Sequence, residues 1–232
     1  MTSDLLIVIP ARGGSKRLPG KNLLPLAGRS LLAWTDEAVR ESGLNAPCLL
    51  TTDDEKIAIA GRALGWLAPF LRPAELATDG ATTAAAVLHA LDWYKAERGN
   101  DPDILLLLQV TSPFRRGARL AEAVSLLRTR SDLDAVISVS RLHSHPSTLY
   151  TRDGSGQLHP APLAEKAEQI FVPNGALYAI RTKAFRARNA FVTAHTASLV
   201  LDGAETLDID TPFDWQVAQA LAGTWRDTAG AR

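Results

Sequence analysis

Residues 5–22 read LLIVIPARGGSKRLPGKN. The run from Leu5 to Ile9 is apolar without interruption until Pro10 stops it. A strand that is apolar on both faces belongs inside a parallel sheet covered on both sides. Directly behind it comes a loop with four basic residues (Arg12, Lys16, Arg17, Lys21) and three glycines (Gly13, Gly14, Gly20). Glycines let backbone N–H groups close around an oxyanion, and fixed cations strengthen the contact. A buried strand followed by a polyphosphate-type loop predicts an α/β sheet with a ligand at the strand's carboxyl end. The spacing is neither that of a Walker loop nor that of the dinucleotide fingerprint G-x-G-x-x-G.

Working outward, strands and helices alternate. A helix over 31–41 follows a capping Ser30 and ends before Gly43. A strand over 46–52, a helix over 55–64 and a long helix over 81–97 follow. Next come an apolar strand over 104–108, a helix over 120–127 and a strand over 135–139. Between 141 and 170 the periodicity stops: the segment holds His143, His145, His159, three prolines and two glycines, and reads as an inserted arm. Strands over 176–180 and 198–201 resume the pattern. A last helix over 212–221 opens with Pro212 at its first position, and residues 228–232 are expected to fray. The fold class expected is α/β, a Rossmann-like, mostly parallel sheet flanked by helices, in one domain over 1–232. The loops after Ile9, Thr52, Leu108 and Leu207 are where chemistry should gather.

The chain has 232 residues, 46% of them apolar, with 25 Lys plus Arg against 25 Asp plus Glu. A balanced charge argues against a general nucleic-acid or membrane-surface binder, so the cations of residues 12–21 are a local concentration. Cys48, the single cysteine, lies in an apolar run and reads as a buried small hydrophobe; no disulfide or thiolate cluster can form within the chain. His143 and His145 lack an evident third ligand for a metal. The apolar run 5–9 is too short for a leader or a membrane span, so a cytoplasmic protein is expected. Near the end, Asp208 and Asp210 stand two apart. On an extended segment they share a face, and two carboxylates on one face call for a cation between them, Mg²⁺ when phosphates are the substrate. Asp214 falls in the first turn of the last helix, where a negative charge is favourable in any case.

The string IPARGGSKRLPGKN resembles the opening of the CMP-sialic acid synthetases (acylneuraminate cytidylyltransferases). Three further segments agree in order: FLRPAELATDGATT at 70–83, LLQVTSPFRR at 107–116 and LDIDTPFDW at 207–215. The resemblance implies that Ala11, Arg12, Ser15, Lys21 and Asn22 face CTP and its phosphates. It implies that Arg72 and Thr83 hold the nucleotide near its base, with Asp79 supporting the loop. Gln109, Ser112 and Asn174 would bind a nine-carbon sugar acid, with Thr111 and Arg115 shaping the same loop. Asp208 and Asp210 would hold Mg²⁺ (or Mn²⁺), and the catalytic group would be Arg12, Lys21, Asp208 and Asp210. It further implies that the arm over 141–170 makes a homodimer.

Two positions depart from the pattern. Val110 stands where the family usually has proline, and Val172 stands where an arginine is common, with Lys166 the nearest base before it. Arginine is the natural bidentate partner of a carboxylate, so the acceptor is left open among nonulosonic acids, Kdo and a phosphonate. The expected reaction is transfer of CMP from CTP to the anomeric hydroxyl of a sialic-acid-type sugar, releasing pyrophosphate. A sugar-1-phosphate nucleotidyltransferase would open with G-x-G-T/S-R, which is absent. A non-catalytic CTP-binding domain would have little use for both carboxylates.

Overall fold

The computed structural model describes residues 4–162 and 169–229. Residues 163–168 of the expected arm, Lys166 among them, and the last three of the expected frayed end lie outside the described residues. Six strands form one sheet in the order β2-β1-β3-β7-β4-β8. These are β1 (Leu5–Pro10), β2 (Cys48–Thr51), β3 (Ile104–Leu107), β4 (Ala135–Arg141), β7 (Phe171–Arg181) and β8 (Thr196–Leu201). A separate ribbon pairs β5 (Tyr150–Arg152) with β6 (Leu158–Pro160). β1 runs parallel to β2 and β3, and β4 runs parallel to β8, while β7 is antiparallel to both of its neighbours. The sheet is therefore mostly parallel, with one reversed strand.

The helices follow from local signals. Ser30 caps α1 (Leu31–Glu41) by accepting from Ala33 N, and Asp54 caps α2 (Glu55–Ala63) by accepting from Lys56 N and Ile57 N. Thr82 caps α3 (Thr83–Arg98), and Gly99 ends it in the left-handed conformation. α4 (Gly117–Thr129) begins where a side chain would not fit: a Cβ on Gly117 would stand 2.4 Å from the backbone nitrogen of Ser42. α5 (Thr182–Arg188) and α6 (Pro212–Ala229) complete the set. The helix expected over 120–127 is longer at both ends, and α5 was not foreseen.

Alternate residues of β1 feed two apolar clusters, one on each face. Leu5, Ile7 and Ile9 pack with Leu31, Trp34, Phe114 and Leu120, whereas Leu6 and Val8 pack with Val87, Leu91, Tyr94 and Phe185. All five of these β1 residues are buried, as a central strand requires. Cys48 is buried in the first cluster, and burial pushes its thiol up to about 12, so it packs as an inert apolar group. No helix among the described residues is long and apolar enough to cross a membrane.

Candidate functional site

The carboxyl ends of β1 and β3 open onto a cleft of about 560 Å³. The loop after β1 forms one wall and is fixed from behind. Ala11 N donates to Thr51 O at 3.1 Å, and Gly13 N donates to Asp53 Oδ1 at 3.0 Å. A Cβ on Gly13 would lie 2.8 Å from Asp54 Cβ, so the loop can press this close only with glycine there. Asn22 Nδ2 donates to Arg12 O at 2.8 Å, closing the loop on itself. Ala11, Arg12, Ser15, Lys16, Arg17, Lys21 and Asn22 all line the cleft.

The expected acidic pair arrives on the irregular segment that follows Leu207, which is not a strand. Ile209 N donates to Thr111 O at 2.8 Å, which pins that segment to the loop after β3. Asp208 and Asp210 both line the cleft. Lys21, almost wholly buried, donates from Nζ to Ile209 O at 2.5 Å and to Asp210 Oδ1 at 3.0 Å. Arg17 Nη2 reaches Asp210 Oδ2 at 3.1 Å, so this residue, which the motif did not single out, has a place in the cleft. Asp214 accepts from Asp210 N, Thr211 N and Thr211 Oγ1 within 3.0 Å; it serves the start of α6, as its position suggested.

Asp208 is in the harder environment. Burial raises its pKa, a hydrogen bond from Thr111 lowers it, and the neighbouring Asp210 charge raises it. Its Oδ1 is buried without a hydrogen-bond partner. A carboxylate oxygen left in that state is costly unless a cation meets it. The donor set suits a hard divalent ion held by one or two carboxylates plus substrate oxygens. Among the described residues no cluster of three or more His, Cys, Asp or Glu could hold a metal by protein groups alone. The His145 ring instead lies 2.7 Å from the Ser147 hydroxyl.

The opposite wall is the segment before α3. Arg72 is buried; its Nε and Nη2 make no hydrogen bond, and Nη2 is ion-paired with Asp53 Oδ1 at 3.6 Å. Burial lowers its pKa and Asp53 raises it. A buried guanidinium with unused donors at a cleft is equipped to meet an acceptor edge such as that of a pyrimidine base. Thr82 takes the capping role, accepting from Ala85 N at 3.1 Å. Thr83, which also lines the cleft, is not needed for the cap. Asp79 joins the two walls, accepting from Arg12 at 2.9 Å and pairing with Lys16 at 2.5 Å.

The acceptor-side residues separate. Gln109 lines the cleft with Val110 and Thr111. Ser112 is buried just behind, with an unpartnered hydroxyl. Asn174 is not brought to the cleft: its amide accepts from Ser138 Oγ at 2.5 Å and donates to Ser140 Oγ at 3.1 Å. Arg115 ties this region together, donating to Gln109 O and Ala176 O, each at 2.6 Å. Full burial pushes its pKa down to about 9. Val172 is half exposed, paired with Ser140 on β4 and outside the cleft lining. Sequence reasoning places Lys16 in the basic loop but gives it no role, and it misses Asp53. The Asp53-Asp54 pair, in the loop after Thr52 where chemistry is expected to gather, is the available signal.

The model of the cytidylyltransferase family matches residues 6–198. The chain is 35% identical to the CMP-N,N'-diacetyllegionaminic acid synthase of Legionella pneumophila, over 94% of this chain and 95% of that one. It is 33% identical to an N-acylneuraminate cytidylyltransferase of Escherichia coli over 94% of this chain, and spans about half (52%) of that longer protein. A pseudaminic acid cytidylyltransferase of Campylobacter jejuni is 28% identical over 93% of this chain and 95% of its own length. A solved CMP-2-keto-3-deoxy-manno-octonic acid synthetase complexed with CTP shares the fold, with a TM-score of 0.69, 23% identity and coverage of 96% of this chain and 99% of that one. The chain belongs to the cytidylyltransferase family.

Proposed function

We propose that this enzyme transfers CMP from CTP to the anomeric hydroxyl of a nonulosonic acid and releases pyrophosphate. One observation carries the reading. A glycine-rich basic loop, a buried Arg72 with unused donors, and the carboxylates Asp208 and Asp210 all converge on one cleft. The names of the relatives, three of which act on nine-carbon sugar acids, support the choice of acceptor class.

In this reading Arg12, Ser15 and Lys21 take the triphosphate, Asn22 fixes the loop around it, and Arg72 and Thr83 hold the nucleoside end. The acceptor hydroxyl attacks the α-phosphorus in line; a new O–P bond forms as the bond to pyrophosphate breaks, and the hydroxyl proton passes to solvent. Positioning and charge neutralisation supply most of the rate. Arg12 and Lys21 neutralise charge as it moves onto the leaving group. A divalent cation, Mg²⁺ or Mn²⁺, would supply phosphate-charge neutralisation and an acidified hydroxyl when bound, with Asp208 and Asp210 as its holders. Asp210 would then loosen its hold on Arg17 or Lys21. Gln109 orients the acceptor, and Ser112 and Asn174 shape its site from behind. We further infer a homodimer built through the arm, working in the cytoplasm where CTP is available.

The test is pyrophosphate release from CTP with Mg²⁺ across N-acetylneuraminate, deaminated sialic acid, pseudaminate, legionaminate, Kdo and an aminoalkyl phosphonate, with ATP, GTP and UTP as controls. Release with CTP and a nine-carbon acid is expected. Release with Kdo or the phosphonate alone would overturn the acceptor class, and silence throughout would overturn the transferase.

A further inference from the structure

The cations of the loop after β1 are not idle in the ligand-free protein. Arg12 and Lys16 both line the cleft, and both end on the carboxylate of Asp79 from the opposite wall, at 2.9 and 2.5 Å. One acid of the cleft lining therefore occupies two cations of the basic loop at once, Arg12, assigned above to the triphosphate, and its neighbour Lys16. Hydrogen bonds from Lys16 and then Arg12 hold its pKa below the usual carboxylate range, so it is fully charged wherever the enzyme works. The contact is solvent-exposed, with Asp79 about half and Lys16 more than three-quarters accessible. Exposed pairs of this kind add little to stability, so a structural duty is a poor account of it. Asp79 sits between the short helical turn Ala74–Leu76 and the cap of α3, on a segment whose displacement would not disturb the sheet.

We propose that Asp79 is a resident counter-anion that competes with the nucleotide's phosphates for Arg12 and Lys16, determining how tightly the cleft holds triphosphate and how readily it releases pyrophosphate. This rests on the reading of the cleft as a CTP site. A polyphosphate carries more charge than one carboxylate and displaces it on arrival. As pyrophosphate leaves, Asp79 recovers both cations, so Arg12 and Lys16 are never left unpaired. The cost of separating product from cations is thereby shared with a group already in place. Asp210 holds Lys21 and Arg17 in a similar way at the other end of the loop, but its role at the carboxylate pair makes it a less clean probe.

The experiment is calorimetric titration of the full chain with inorganic pyrophosphate and, separately, with CTP. It compares the natural protein, Asp79→Asn, and Asp132→Asn as a control. Asp132 pairs with Arg130 on the surface and reports the generic effect of removing one negative charge. Asp79→Asn should bind pyrophosphate roughly three- to tenfold more tightly, the scale of a modest electrostatic competition. It should also lower the KM for CTP, slow product release, and speed amide exchange over residues 76–83 in the free protein only. Asp132→Asn should leave pyrophosphate affinity unchanged. Equal or weaker pyrophosphate binding by Asp79→Asn, with CTP binding intact in the natural protein, overturns the counter-anion role and leaves the transferase reading standing. Equal tightening by both variants also overturns it, since bulk charge would then suffice. If the natural protein binds neither pyrophosphate nor CTP, this inference falls together with the CTP site.

Discussion

At Asp208 the proposed metal-holding role and stability pull in opposite directions. The side chain is part-buried, its pKa is raised mainly by the burial of its carboxylate, and Oδ1 is buried with no partner. A group whose folded pKa is raised contributes stability when protonated and loses it as pH rises through that pKa, so at neutral pH the charged form works against folding. Asp208→Asn keeps the shape and removes the charge. It should raise the melting temperature of the ligand-free protein by about 2–4 °C, the shift that about 1 kcal/mol gives in a domain of this size. It should also lower turnover by about a hundredfold or more and abolish any Mg²⁺-dependent rise in melting temperature. Thermal unfolding with and without Mg²⁺, alongside pyrophosphate release, checks all three. A lower melting temperature without metal would mean that the ionised form is held by native hydrogen bonds and is no burden. That Asp208 and Asp210 come to one cleft was readable in the D-x-D spacing, although the segment carrying them is not a strand. Arg17 and Lys16 were legible only as members of the basic loop; their pairing with Asp210 and Asp79 was not, because those partners lie far along the chain and only the fold brings them together.

At the scale of the element, β7 carries most of what the sequence hid. A strand was expected over 176–180, yet it begins at Phe171 and runs antiparallel to both neighbours. Pro173 and Gly175 interrupt the alternation that would have marked its first half, and the register against β4 shifts there, between Ile137 and Val139. Gly175 has φ +81°, and a Cβ on it would sit 2.5 Å from Gln109 Oε1. This irregularity makes room for the Gln109 side chain, proposed above to orient the acceptor. Gly175→Ala should cost about 1–2 kcal/mol for the left-handed backbone and push the Gln109 amide aside. The acceptor KM should rise severalfold while CTP affinity holds, as steady-state kinetics with each substrate varied would reveal; a rise confined to CTP would place Gln109 on the nucleotide side. α5 escaped notice because Thr182–Arg188 buries only Thr182 and Phe185, too few for a helical period. Its ending, Asn189 in the left-handed conformation, was the one usable signal. In the arm, Asp153-Gly154-Ser155-Gly156 is a turn signal between short strands, and a ribbon forms there.

At the scale of the whole molecule, the parallel core was legible because β1 and β3 are apolar throughout, β2 is apolar up to Thr51, and each is followed by a polar loop or a capped helix. The arm is different, since its stability is not supplied by that core. Tyr150 pairs with Pro160, and Arg152 with Leu158, so all four side chains share one face of the ribbon. Tyr150 and Leu158 on that face are more than half exposed, and Phe171 and Val172, where β7 extends toward the arm, are also exposed. A two-stranded ribbon is marginal in water by itself, and this one presents apolar groups that nothing among the described residues covers. A second copy of the chain is the economical cover, because two-fold pairing buries the same patch on both partners at once. The protein should therefore sediment at twice the 24.9 kDa of one chain. Replacing Tyr150 and Leu158 together with glutamate should yield a monomer with an unchanged sheet by circular dichroism, since neither residue belongs to either core cluster. If the natural protein sediments as one chain at micromolar concentration, the homodimer is excluded and the exposed face of the ribbon needs a different partner. If the double variant stays dimeric, pairing uses another surface.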